Sequence, residues 1–175
     1  MTATENTKRI LKARAQALAR EPVARATEAV IEIVEFSLAT ERYGIETGYV
    51  REVFPFRELP PVPCAPPFFT GIVNVRGRMI AVVDLKKFFD LPASGLHDLH
   101  EVIILHSEEM NLGILADDVV GVRRVPVSQL QASLPTLRGI GQQYLRGVTG
   151  ERLIVLDAAR ILGDPKITVQ EEVEK

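Results

Sequence analysis

Pro66-Pro67-Phe68-Phe69-Thr70-Gly71-Ile72-Val73-Asn74-Val75-Arg76-Gly77-Arg78-Met79-Ile80-Ala81-Val82-Val83-Asp84-Leu85 is the stretch on which the fold turns. Two apolar, β-branched runs flank Asn74-Val75-Arg76-Gly77. Runs of this kind, bounded by turn residues, read as buried strands. Gly77 can take a positive φ, so the chain is expected to reverse there. Arg76 precedes that glycine, where its guanidinium can project outward. Asp84 ends the second run and is placed to cap a short helix from Leu85 to Phe89. Nothing in the stretch is a catalytic signature. A strand-turn-strand unit that displays one arginine reads as a surface made for a protein partner.

The unit has an echo. Phe69-x-Gly71-Ile72 followed by Met79-Ile80-x-Val82-Val83-Asp84 returns as Leu145-x-Gly147-Val148 followed by Leu153-Ile154-Val155-Leu156-Asp157. Each Asp precedes a short helical pattern, Leu85 to Phe89 and Ala158 to Leu162. Self-similarity at a long period predicts two related units in one chain.

The remaining chain supports a β-rich reading. Ile31 and Ile33, then Val34, Phe36 and Leu38, alternate with a one-residue phase slip, which suggests a β-bulge. Ala39-Thr40-Glu41-Arg42 turns the chain into Tyr43-Gly44-Ile45-Glu46, and Gly48 to Phe54 follows. Further strands are expected at Val102 to Leu105, Asn111 to Ala116, Val119 to Val125, Tyr144 to Thr149 and Arg152 to Leu156. The segment Leu91 to Leu99 reads as a loop, and Ser128 to Arg138 as irregular, since Pro126 and Pro135 oppose long elements. Many short strands with few helices predict small barrels rather than a parallel α/β sheet. Ahead of them, Glu5 to Arg20 carries a narrow helical stripe (Ile10, Leu11, Ala15, Leu18) that Pro22 ends. It is expected to dock on its own domain.

Composition narrows the class. The chain has 175 residues, 46% of them hydrophobic, so a proper core is available. A net charge of −2 gives no basic footprint for nucleic acid. Residues 1–25 are locally basic, with Lys8, Arg9, Lys12, Arg14, Arg20 and Arg25 against Glu5 and Glu21; the last residues, Glu171 to Lys175, are acidic. The single cysteine, Cys64, lies in a proline-rich loop and can form neither an internal disulfide nor a thiolate cluster, which fits a reducing compartment. No apolar run approaches the roughly 18 residues of a membrane span. No apolar signal-peptide region opens the chain. A soluble, cytoplasmic protein is expected.

Few residues could carry chemistry. His97-Asp98-Leu99-His100-Glu101 offers metal-ligand types, but in a loop, without the three or four ordered ligands of a zinc site. His106 stands alone at a strand end. Asp117 and Asp118 are adjacent on an extended chain and point to opposite faces; one is expected to hydrogen-bond the backbone of a turn. Gly139-Ile140-Gly141 lacks the strand-to-helix context of a phosphate loop. No catalytic residue, cofactor site or metal site is assigned. The rival class is a small ligand-binding or flavin-type β-barrel enzyme, which needs a pocket of convergent polar groups.

An ordered series of motifs resembles the CheW-like family of bacterial chemotaxis coupling proteins, over about residues 32–163. The pieces are Phe36-Ser37-Leu38, Tyr43-Gly44-Ile45, Val50-Arg51-Glu52-Val53, Gly71-Ile72-Val73-Asn74-Val75-Arg76-Gly77, Ile80-Ala81-Val82-Val83-Asp84-Leu85, Gly113 to Val119, and Tyr144 to Val148. The resemblance implies two five-stranded SH3-like barrels on a shared core, so the fold expected is mostly β with short helices, and the N-terminal helix read above precedes the family core. It implies a non-catalytic adaptor joining chemoreceptor tips to the regulatory domain of the histidine kinase CheA, with no nucleic acid and no membrane insertion. A related chain could instead serve a non-flagellar pathway for pili, gliding or second messengers. By motif position the receptor groove comprises Val50, Glu52, Val53, Arg76, Val119 and Val122. About two of the four valines are expected to be ordinary core. The kinase contact is expected on the second barrel. The division expected is 1–25 as a helical extension, 26–163 as the CheW-like domain with barrels at roughly 30–95 and 100–160, and 164–175 as an acidic tail.

Overall fold

A computed structural model describes residues 28–56, 62–92, 100–132 and 142–168. The expected N-terminal helix, the acidic tail's end and Gly139-Ile140-Gly141 lie outside them. Among the described residues ten strands form two five-stranded sheets. In chain order they are β1 (Val30–Leu38), β2 (Glu41–Glu46), β3 (Val50–Phe56), β4 (Phe69–Val75), β5 (Arg78–Val83), β6 (His100–His106), β7 (Asn111–Ala116), β8 (Asp118–Pro126), β9 (Leu145–Val148) and β10 (Leu153–Leu156). Two short helices, α1 (Leu85–Phe88) and α2 (Ala158–Leu162), follow β5 and β10.

The barrels are not the two halves of the chain. One sheet runs β8-β1-β2-β10-β9 and the other β3-β6-β7-β5-β4. The expected bounds of 30–95 and 100–160 are therefore corrected. β1 and β2, from the start of the domain, complete a barrel built from β8, β9 and β10. β3 to β7 form the other, uninterrupted.

The internal echo is real, and it is permuted. Both hairpins carry the same bulge: Phe69 faces Val83 and Gly71 faces Val82, while Leu145 faces Leu156 and Gly147 faces Val155. Thr70 and Arg146 are the extra residues. The Asp84 N–H donates to the Phe68 carbonyl at 2.7 Å, and the Asp157 N–H to the Tyr144 carbonyl at 2.8 Å. Each Asp caps its helix through its side chain, Asp84 accepting from the Lys86 N–H and Asp157 from the Arg160 N–H. β5 then pairs parallel with β7, and β10 with β2, placing Gly113 and Gly44 at matching positions. A Cβ on Gly113 would meet Val82 Cγ2 at 2.9 Å, and one on Gly44 would meet Ile33 Cδ1 at 2.5 Å. At Gly113 the stiff side chains of Val82 and Val102 leave no room for a Cβ, whereas at Gly44 the tip of Ile33 would have to shift.

Three apolar layers follow from strand alternation. Val34, Phe36 and Leu38 on β1 face Ile103 and Leu105 on β6 in a core shared by both barrels. Opposite faces fill the barrel interiors: Phe56, Val73, Ile80, Val82, Val102 and Ile104 in one, and Ile33, Val125, Leu153 and Val155 in the other. β1 is thus buried on both faces, and this produces the phase slip in its sequence. A register shift does fall at Glu35–Phe36, but the extra residue is Val120 on the partner strand β8. Phe68 and its counterpart Tyr144 meet around Phe88, with ring centroids 5.1 and 5.3 Å away, so α1 bridges the two units.

Candidate functional site

The Arg76-Gly77 turn is a two-residue hairpin in which both residues have positive φ, 52° and 83°. That geometry matches the twist of the flanking strands. The Gly77 N–H donates to Asn74 Oδ1 at 2.9 Å, fixing the turn from within. Glycine at position 77 was expected to be left-handed. Arg76 is left-handed as well, a conformation that disfavours a side-chain-bearing residue by about 1–2 kcal/mol.

The side chain of Arg76 is 84% exposed and its Nη2 donates to Glu52 Oε2 at 3.2 Å. Glu52 is on β3, at one end of its sheet; Arg76 joins β4, at the other end, to β5. The pair therefore spans the seam of the barrel. Exposed pairs of this kind contribute about 0–1 kcal/mol. The fold gains little from it, and the guanidinium stays available.

The four valines divide in two. Val50 and Val119 are half-buried against the shared core, while Val53 and Val122 are exposed, at 36% and 67%. The division follows the pseudo-symmetry. Val50 faces Leu105 and Val53 faces Ile103; Val119 faces Phe36 and Val122 faces Val34. β3 and β8 are therefore the same strand of the two barrels, each with one bulged residue, Arg51 and Val120. The shared spacing of Val50-Arg51-Glu52-Val53 and Val119-Val120-Gly121-Val122 was legible in the sequence and is the signal that links them.

Beneath these strands, the barrels are fastened where the chain crosses from one to the other. Asp117 lies between β7 and β8. Its N–H donates to the Ser37 carbonyl at 3.0 Å, and its Oδ2 accepts from the Ala39 N–H at 2.7 Å. Its Oδ1 accepts from Lys86 Nζ and lies 3.5 Å from His100 Nδ1. Burial pushes the Asp117 carboxyl up; Lys86, the Ala39 N–H and His100 outweigh it and hold the carboxyl below its ordinary range. Glu101 Oε2 accepts the Val119 N–H at 2.6 Å and forms a second clasp. Asp118 is exposed, on the opposite face.

Two of the candidate metal-ligand residues, His100 and Glu101, lie at these contacts. His100 Nδ1 lies near Asp117 without a hydrogen-bond partner, Glu101 holds the Val119 N–H, and His97 and Asp98 lie outside the described residues. Among the described residues no group of three His, Cys, Asp or Glu is arranged to hold a metal ion. Sequence reading missed Lys86, His100 and Glu101 as structural partners, because Lys86 follows β5, His100 and Glu101 open β6, and their partners lie at the β7–β8 junction. No helix among the described residues is long and apolar enough to cross a membrane.

Known proteins resemble this chain along the same span. The CheW-like domain matches over residues 32–166. A chemotaxis protein CheW of Treponema pallidum is 32% identical over 143 residues, covering 78% of this chain and 84% of that protein. The solved scaffolding protein TtCheW of Thermoanaerobacter tengcongensis superposes with a TM-score of 0.66 at 28% identity, over 78% of this chain and 90% of that one. Protein PilI of Pseudomonas aeruginosa is 29% identical over 115 residues, covering 66% of this chain and 65% of that protein. Paired SH3-like barrels, these relatives and the match over residues 32–166 together make the chain a member of the CheW-like domain family of chemotaxis adaptors.

Proposed function

We propose that this chain is a non-catalytic adaptor that couples chemoreceptors to the histidine kinase CheA. A helical hairpin of the receptor tip would bind Val50, Glu52, Val53, Arg76, Val119 and Val122. The observation that carries the reading is the family match over nearly the whole β domain, joined to a guanidinium that the fold displays but scarcely uses. Val53 and Val122 supply apolar contact from matching strands, and the Glu52–Arg76 pair supplies polar register. This is helix-in-groove recognition.

The kinase contact was expected on a barrel formed by the second half of the chain. That half supplies β6 and β7 to one barrel and β8, β9 and β10 to the other, so the proposed contact carries no named residues. Exposed apolar side chains on the outer face of the β4–β5 hairpin, Ile72 and Met79, suit pairing with a similar barrel.

Arg76→Glu tests the groove. Receptor-fragment binding, binding of the CheA regulatory domain and the melting temperature are measured on one variant. Receptor affinity falls by tenfold or more, equal to about 1.4 kcal/mol. Kinase binding is unchanged, and the melting temperature moves by only a few degrees because the seam pair is exposed. Unchanged receptor affinity would reduce Arg76 to a seam residue. Similarity to PilI favours a second reading, an adaptor of the same kind in a pilus pathway. Receptors and kinases that co-purify from native membranes separate the two.

A further inference from the structure

A cleft of about 640 Å³ opens between the turn at Thr47–Tyr49, the β6–β7 connection and α2, next to the Val50 end of β3. Its lining includes Tyr49 and Leu162 as apolar surface, with His106, Glu108 and Glu109 at the β6–β7 connection. Among the described residues no lysine or arginine lines it. Neither Glu108 nor Glu109 forms an ion pair among the described residues.

The fold delivers an oppositely charged segment to this place. β1 begins at Val30 and is antiparallel to β2, with Ile33 opposite Glu46. Its first residues therefore pack beside the Thr47–Tyr49 turn, one wall of the cleft. The chain preceding that point carries six basic residues against two acidic ones within residues 1–25. It also carries Ile10, Leu11 and Leu18 at helical spacing. The Ala29 carbonyl accepts from the Val127 N–H, which anchors the start of β1, so the connection to residues 5–20 is residues 21–27, about 23 Å at full extension. The acidic end of the chain, Glu171 to Glu174, is excluded by like charge.

We propose that the N-terminal segment of this same chain docks in the cleft. Its basic residues face Glu108 and Glu109, and its apolar stripe lies on Tyr49 and Leu162. The segment then forms a third layer over α2 and the β6–β7 connection. The inference is independent of the receptor reading.

Paramagnetic broadening in the full chain tests it. A spin label on Ala13→Cys, in a Cys64→Ser background, broadens the amides of residues 47–49, 106–109 and 159–163. Glu108→Lys with Glu109→Lys abolishes that broadening while the remaining amide spectrum is retained. Reversing Lys8, Arg9 and Lys12 to Glu in the same chain restores it. Raising the salt to about 1 M weakens it, since exposed charges are screened within about 3 Å. Broadening elsewhere, or none, overturns the proposal. So does broadening of an unlabelled chain mixed with a labelled one, which would place the segment on a second copy. If the double reversal fails to fold, the map of the parent chain decides alone.

Discussion

Replacing Lys86 by methionine removes the cation from a carboxylate whose side chain is only 2% exposed. Asp117 would keep the Ala39 N–H at 2.7 Å and a histidine nitrogen 3.5 Å away. Breaking a buried pair by deleting one partner costs about 3–5 kcal/mol. Lys86 is itself slightly exposed and methionine keeps most of its packing, so the lower end, about 3 kcal/mol, is expected. For a domain of this size that is a fall of roughly 6–12 °C in melting temperature.

The pH dependence has a defined sign. Asp117 is held below the ordinary carboxylate range in the folded chain. Its contribution is therefore present above the unfolded value, about 3.9, and is lost as pH falls through the lower folded value. Without Lys86 the carboxyl titrates higher, so the deficit of the variant narrows between pH 7 and pH 4. Asp117→Asn added to Lys86→Met recovers part of the loss. Thermal melts of the three chains from pH 4 to pH 8 decide the matter. A fall under about 2 °C, or a deficit that does not change with pH, would refute the clasp.

Gly113→Ala should cost about 1–3 kcal/mol, because the added methyl meets Val82 and Val102, both fully buried; a denaturant melt within experimental error of the parent would show that the strands can part. Glu35→Ile should be neutral or stabilising in the same assay. Glu35 is buried against Arg42 and Arg123 at the position that Ile104 fills in the other barrel, and both arginines reach solvent. A loss beyond about 2 kcal/mol would mean that the ion pairs specify the barrel. A fragment ending at residue 100 should show no cooperative melt or dispersed amide spectrum, since it holds β1–β2 of one barrel and β3–β5 of the other. A folded fragment would contradict the permuted pairing.

The strands, both Asp-capped helices and the repeated hairpin were legible because each depends on neighbours in sequence. β-branched runs, a left-handed glycine and an Asp before a helix act within a few residues. The motif order likewise carried the family. The partition into barrels was not legible. It depends on β1 and β2 pairing across more than seventy residues, with β8 on one side and β10 on the other, and local pattern carries no record of such pairing. β1 shows the same limit: the slip between Ile33 and Val34 marks two neighbours buried on opposite faces, and the register shift at Glu35–Phe36 places its extra residue on the distant strand β8. The tertiary fold alone decided that Val50 and Val119 lie against the core while Val53 and Val122 face out. It alone brought Arg76 to Glu52, and Lys86 and His100 to Asp117. Side-chain exposure and charge pairing belong to surfaces assembled from distant segments, and these exist only once the two barrels close and pack.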